Sequence, residues 1–455
     1  MALVGVILVN CTTIEALIPQ NKESIQFLSQ LCKQKDTLPQ EKKYTVEALL
    51  KQVDTTDCDN ASRKLSRLST LDLRSSLISD LSSLAKLSNL TELNLFGNEI
   101  SDLSPLAGLT NLTTLDLSNN QISDLSPLAG LTKLTDLDLW SNKVSDLSPL
   151  AGLTNLTYLS LRSNKVSNLS PLAGLTNLTG LNLSSNQVSN LSSLTGLTNL
   201  TGLNLAENKV SDLSSLASLT KLTKLDLYNN KISDISPLAG LNNLETLILQ
   251  WNQIGKLSSL AELTKLTGLR LSNNQITDLS PIAKLTNLTE VFLSGNQISD
   301  LSPLAGLTNV TQLWARRNKI NDLSPLAGLT KLTTLYLSEN QISDLSPLAR
   351  LTNLTELHLE KNNISDLSPL AKLSNLNELR LEENKISDAK PLAGLNNLFI
   401  IFLEKNPIKD KTCPVKDAVC SQKQLDEALK KEKETYDDNI EDAGEGGEGG
   451  EEELP

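Results

Sequence analysis

LTNLTTLDLSNNQISDLSPLAG, residues 109–130, is repeated along the chain in steps of 22 residues, without a slipped step, from about Ser66 to Asp410. In each copy the pattern LxxLxLxxN closes on an Asn, at Asn98, Asn120, Asn142 and Asn164 and onward to Asn384 and Asn406. The first copy departs, with Ser76 in place of the Asn, which gives sixteen consecutive units. A fixed period of this length outranks other sequence signals, because each unit is one small element that buries its apolar face only against its neighbours.

Within Leu112–Asn120 the residues Leu115 and Leu117 alternate with Thr114, Asp116 and Ser118, the period of two that marks a strand with one buried face. Each unit therefore supplies one short strand, and stacked units make a parallel sheet. The closing Asn can donate to and accept from backbone groups of adjoining turns, so a buried Asn ladder is expected. In the return segment Ser104, Pro105 and Gly108 suggest an N-cap, a first helical position and a turn end. They predict one short 3₁₀ turn per unit on the convex side.

Composition limits the alternatives. The 455-residue chain has a formal net charge of −12. Residues 431–455 hold eleven acids against two lysines, or −9, so residues 1–430 carry only −3. A near-neutral body lacks the basic stripe that nucleic-acid binding requires. Met1–Val9, MALVGVILV, is too short to span a bilayer and reads as the second half of a clipped secretion signal. LVNC, ending at Cys11, is a poor lipoprotein box because Asn10 stands where a small residue is wanted.

Helical spacing in Ser24–Leu31 and Thr45–Val53, with a third short helix over Asp57–Leu65, predicts an N-terminal cap that brackets Cys32 and Cys58. Cys413 and Cys420 follow the last repeat. Two cysteines at each end of a solenoid fit capping disulfides, Cys32 with Cys58 and Cys413 with Cys420, which is one of three possible pairings. A zinc site is the competing reading, but CxxC spacing is missing and the one His is distant. Disulfides imply an oxidising compartment. The expected organisation is a signal-like segment and linker over 1–20, a helical cap over 21–65, repeats over 66–410, a C-terminal cap over 411–424, and a charged helix with a disordered acidic Gly/Glu tail over 425–455.

The pattern LxxLxLxxNxI followed by SDLSPLAGLTNLT resembles the 22-residue class of leucine-rich repeats, and especially the bacterial internalin-like proteins. The cysteine-bearing helical segment is similar to the cap of exported bacterial members. The resemblance implies an α/β solenoid: a leucine-rich-repeat horseshoe with a parallel concave sheet, used to grip another macromolecule. Internalins add an immunoglobulin-like domain and anchoring modules, and no match to these is present in the sequence.

Specificity then lies in what varies between copies. The residues six, four, two and one before each ladder Asn are expected to point out of the concave sheet. Nine of the thirteen aromatic residues fall there: Phe96, Trp140, Tyr158, Tyr228, Trp251, Phe292, Trp314, Tyr336 and Phe402. The column four before the Asn is small and polar or acidic in its first half: Asn94, Asp116, Asp138, Ser160, Asn182, Asn204 and Asp226. Its second half reads Ile248, Arg270, Phe292, Trp314, Tyr336, His358, Arg380 and Phe402, with Arg316 and Arg317 beside it. Neighbours about 5 Å apart would form a solvent-facing aromatic strip. Aromatics and Arg carry binding hot spots, although aromatics also suit strands for packing alone. Asp116, Asp136, Asp138 and Asp226 could steer a basic segment of the same partner.

Other signals are structural. Asp recurs four places after the ladder Asn, as in Asp102 and Asp124, but Asn168, Asn190 and Lys256 interrupt any calcium ladder, and Asp beside a helical turn is an ordinary cap. The NLT triplets spell a glycosylation sequon because the repeat does. No nucleophile or matched acid accompanies His358 in a recognisable motif. The expectation is a monomeric, non-catalytic, exported bacterial protein with no cofactor, binding a protein or peptide through Ile248, Arg270, Phe292, Trp314, Arg316, Arg317, Tyr336, His358, Arg380 and Phe402. A glycan or envelope-polymer binder is one alternative. A cytosolic scaffold similar to phosphatase-regulating members of the repeat class is the other.

Overall fold

The computed structural model describes residues 22–409, 412–416 and 418–421. Met1–Val9, Cys11 and the acidic tail lie outside them. Three helices come first: α1 (Lys22–Lys33), α2 (Gln40–Gln52) and α3 (Cys58–Leu65). Cys32 on α1 and Cys58 on α3 form a disulfide with Cα atoms 5.5 Å apart. Ser24 Oγ donates to the Lys86 carbonyl at 2.6 Å and Thr45 Oγ1 to the Asp80 carbonyl at 2.6 Å, which ties α1 and α2 to the first repeat.

Strands of three residues follow, from β1 (Thr70–Asp72) to β16 (Ile400–Phe402), each starting 22 residues after the one before. The chain divides into two compact units between Leu244 and Glu245. In the first, β1 to β8 pair side by side in chain order, all parallel. In the second, β9 to β16 do the same. The register is constant: Leu115 pairs with Leu137 as Leu335 pairs with Leu357. Within each unit the repeated Leu and Ile positions are buried, Leu115 and Leu117 among them.

The Asn ladder forms as its chemistry requires. Asn120 Oδ1 accepts from the Ile100 amide at 2.9 Å, and its Nδ2 donates to the carbonyls of Leu95, Leu117 and Ser118 at 2.9, 3.1 and 3.1 Å. One side chain thus closes its own turn and holds the coil before it. The Asn of each NLT triplet is also engaged: Asn111 Nδ2 donates to the Ser88 carbonyl at 2.9 Å, and Asn353 Nδ2 to the Thr330 carbonyl at 2.8 Å. Thr113 Oγ1 donates to the Thr91 carbonyl at 3.0 Å, and the same bond recurs in later coils.

A short 3₁₀ turn lies between successive strands, as at Ser104–Leu106. Ser104 is the first residue of that turn rather than its cap. Leu103 holds the cap position, and the side-chain bond comes from one residue before it, Asp102, whose Oδ1 accepts from the Ser104 amide at 2.9 Å. The Ser104 hydrogen bonds hold the Asp102 carboxyl below its ordinary range. Asn168 and Asn190 make the same bond, at 3.0 and 2.9 Å, so the recurrent Asp needs an acceptor oxygen and no cation. Gly108 ends the turn, as expected, without left-handed backbone. Left-handed backbone falls instead on the residue before the ladder Asn, with φ of +67° at Gly97, +55° at Glu207 and +57° at Trp251.

At the far end Cys413 and Cys420 are joined, with Cα atoms 5.8 Å apart. Val419 lies parallel against β16: its amide donates to the Phe399 carbonyl at 2.8 Å, and its carbonyl accepts from the Ile401 amide at 2.9 Å. An exposed strand edge is a template for unwanted pairing, and the disulfide-bonded segment covers this one.

Candidate binding face

The outward column four before the ladder Asn behaves differently in the two units. In the first, its Asp and Asn side chains turn back onto the strand end. Asp116 Oδ1 accepts from the Ser118 amide at 2.9 Å, Asp138 Oδ1 from the Trp140 amide at 2.8 Å, Asn204 Oδ1 from the Ala206 amide at 2.9 Å, and Asp226 Oδ1 from the Tyr228 amide at 2.9 Å. Short polar side chains satisfying a backbone amide two residues on are a common turn device. The acidic column of this unit therefore has a local structural task. Beside it Phe96 and Trp140 stack at 6.2 Å, and the Arg162 guanidinium lies 5.3 Å from the Trp140 ring centre.

In the second unit the same column is a continuous stack. Phe292 and Trp314 are parallel to within 1° with ring centres 4.2 Å apart; Trp314 and Tyr336 follow at 5.1 Å, and Tyr336 and His358 at 3.9 Å and 2°. The strand spacing is close to the thickness of a stacked ring pair, so in-register parallel pairing brings the rings face to face. Arg270 covers Phe292 with its guanidinium 4.8 Å from the ring centre, and Arg380 lies 5.3 Å from the centre of Phe402. Ile248 is half-buried and pairs with Arg270.

The expectation that the nine outward aromatics face solvent needs correction. Phe292 is 6% exposed and Phe402 1%, because neighbouring groups cover their ring faces. Tyr158 and Trp251 are exposed, the latter at 54%, and the others are half-buried. What the stack leaves accessible is only part of Trp314, Tyr336 and His358. Arg316 and Arg317 are exposed, and both pair with Glu339: Arg316 Nε to its Oε1 at 3.0 Å and Arg317 Nε to its Oε2 at 3.2 Å. The Arg316 hydrogen bond holds Glu339 below the usual carboxyl range.

Acidic side chains border the far end of the stack. Tyr336 Oη donates to Glu356 at 2.5 Å, His358 Nε2 lies 3.0 Å from Glu378 Oε1, and Arg380 Nε donates to the same oxygen at 2.5 Å. Burial, then the Glu356 bond, pushes the Tyr336 phenol up, and burial holds the His358 imidazole down, favouring its neutral form. On the other side stand Glu360, Glu382 and Glu404, two before successive ladder Asn residues. Burial pushes Glu382 up to about 7, with Glu360 and Glu404 adding to the effect. These glutamates were not singled out from the sequence, although the outward-column rule that picked out the aromatics applies to them equally. Among the described residues no cluster fits a metal ion, and no helix is long and apolar enough to cross a membrane.

The family described as leucine rich repeats (2 copies) matches in eleven stretches, from residues 66–108 to residues 352–397. The chain belongs to the leucine-rich repeat family. Among solved structures, this leucine-rich-repeat chain is similar to an internalin, InlF, of Listeria monocytogenes, with 37% identity, a TM-score of 0.67, and coverage of 68% of this chain and 93% of that one. A leucine-rich-repeat protein of Leptospira interrogans matches at 29% identity and TM-score 0.72, over 77% of this chain and 93% of that one. The functional domain of InlJ of Listeria monocytogenes, whose structure includes a cysteine ladder, matches at 28% identity and TM-score 0.67, over 75% and 74%. No curated protein sequence matches the chain.

Proposed function

We propose that the protein is a non-catalytic module that holds a protein or peptide ligand on the outward face of β9–β16. The observation that carries this reading is the unbroken stack from Phe292 to His358, bounded by Arg270 and Arg380. Trp, Tyr and Arg are the side chains most often found at the centre of protein interfaces. Stacking removes rotamer freedom before any ligand arrives, which lowers the ordering cost of association.

The same geometry favours a peptide over a glycan at this strip. Sugar rings pack on the faces of aromatic rings, and here those faces are used by neighbouring side chains. His358 is set between Tyr336 and Glu378, an arrangement for stacking rather than for proton transfer. The two disulfides argue for export to an oxidising compartment.

Selection of phage-displayed random peptides on the full chain tests the module. Trp314→Ala is expected to weaken the selected peptides by about tenfold or more, the usual effect of truncating a central aromatic. Unchanged affinity would remove the strip from the binding site. Thiol titration of freshly isolated protein tests the compartment, since free thiols at Cys32, Cys58, Cys413 and Cys420 would contradict export.

A further inference from the structure

We propose that the Glu360–Glu382 stretch of the outward face binds Lys or Arg side chains of a basic peptide segment, laid along the aromatic stack. This deepens the reading above and rests on it, by naming the chemistry of the ligand.

The placement comes from the backbone. The Glu339 amide donates to the Glu360 carbonyl and the Lys361 amide to the Glu382 carbonyl, both at 2.8 Å, so Ser338, Glu360 and Glu382 occupy successive rungs of one column. Successive rungs are about 4.8 Å apart. Glu360 Oε2 and Glu382 Oε2 are both buried and have no hydrogen-bond partner among the described residues. Ser338, one rung earlier and 1% exposed, has its Oγ in the same condition. Buried polar atoms in native proteins are ordinarily paired, and an unpaired carboxylate oxygen is among the costliest exceptions. Two in adjacent rungs, beside an unpaired hydroxyl, leave these carboxylates without a compensating cation among the described residues, and both glutamates remain part-exposed on the outward face, where a cation from outside can approach.

Nearby cations are engaged elsewhere. Arg380 pairs with Glu378, Arg316 and Arg317 with Glu339, and Lys405 with Glu383. Lys361 is exposed and makes no ion pair with either carboxylate among the described residues. The surroundings of β14–β16 are acidic on both sides of the stack, with Glu356 and Glu378 on one and Glu360, Glu382 and Glu404 on the other. That charge pattern complements a cationic partner and repels an acidic one.

A guanidinium has donors enough to bridge two carboxylates at this spacing, and an ammonium can sit between them. The alkyl stem of either side chain can lie along the accessible parts of Tyr336 and His358 while the charged end reaches the glutamates. The elevated Glu382 carboxyl agrees with this, since a bound cation would relieve what burial, Glu360 and Glu404 impose and Arg380 only partly offsets.

The test uses the full chain, so that the acidic tail contributes equally to every variant. Random dodecapeptides on phage are selected at about 0.15 M salt, where exposed charges are screened beyond about 8 Å. Individual clones are then measured against wild type, Glu360→Gln/Glu382→Gln and Trp314→Ala. Selected peptides are expected to carry Lys or Arg and to lose about tenfold in affinity on the double Gln variant at pH 8, with a smaller loss at pH 6 where Glu382 is largely protonated in wild type. The Gln residues keep the shape of Glu, and an unchanged or raised melting temperature shows that the face is intact. Selected peptides without basic residues, no selected peptide, or affinity on the double variant within about twofold of wild type would overturn the proposal. Sensitivity to Trp314→Ala with indifference to the double variant would leave the binding strip standing and remove its cationic specificity.

Discussion

The outward column on β3–β8 and that on β9–β16 share one backbone register but use their side chains differently. Asp116, Asp138, Asn204 and Asp226 bond to amides at the ends of their own strands. Phe292, Trp314 and Tyr336 cannot make that bond, and they stack on each other instead. On the proposed reading, the difference separates the demands of the fold from those of recognition. A position that tolerates the loss of its turn-closing oxygen and takes a large ring in its place has been released from a structural duty. Trp314 differs from Asp138 in what it packs on as well as in size: a ring on either side instead of an amide of its own strand end.

Four measurements would break or sharpen that contrast. The largest effect should be common to both stretches. Asn186→Ala and Asn340→Ala each strip several buried backbone groups of a partner and should cost about 3 kcal/mol alike. Chemical denaturation with hydrogen exchange around each site checks this, and a large inequality would mean that the two stretches do not share a frame. Next, Trp314→Ala should cost about 2 kcal/mol through lost stacking, since the ring is only half-buried. Asn204→Phe should cost about 1 kcal/mol, by depriving the Ala206 amide of its acceptor, and leave peptide binding unaltered. Binding loss from Asn204→Phe would undo the division of labour.

The smallest effect depends on pH. Glu382 is held at about 7 against an ordinary 4.5, so the folded chain keeps a proton that the unfolded chain releases. Its contribution to stability therefore falls as pH rises from about 4.5 to about 7 and is level above that. Glu382→Gln should raise stability by about 1 kcal/mol at pH 8 and hardly at all at pH 4, the full shift being discounted because the side chain is only part-buried. Equal melting temperatures of the two proteins at pH 8 would show that Glu382 is not held in this way.

The period was legible because sixteen copies repeat one apolar pattern, and the strands, turns and ladder follow from Leu, Asn and Ser-Pro positions. The column Ile248 to Phe402 was legible because aromatics are scarce enough for nine in outward places to stand out. Its covering was not. A strand pattern says which way Phe292 points, but not that Trp314 will lie parallel at 4.2 Å and take its surface from water. The left-handed column was hidden for another reason. It holds Ser185, Glu207, Trp251, Arg317 and Lys361 as well as Gly97, so composition carries little trace of a conformation set by the turn into the ladder. Glu360 and Glu382 were not singled out because desolvation depends on what surrounds a side chain, and a lone sequence does not display that.

The side-chain bonds between coils have fixed reach: Ile100 to Asn120 over 20 residues, Thr113 to Thr91 over 22, Asn111 to Ser88 over 23 and Asn120 to Leu95 over 25. Together they work as a ruler for recombination. Removing or duplicating a whole 22-residue copy returns every one of these groups to an equivalent partner, whereas gaining or losing a single residue displaces them all at that joint. Unequal crossing-over between copies can therefore lengthen or shorten the aromatic stack one ring at a time with the coil on either side unchanged, so on the proposed reading the span of ligand contacted can change in whole units.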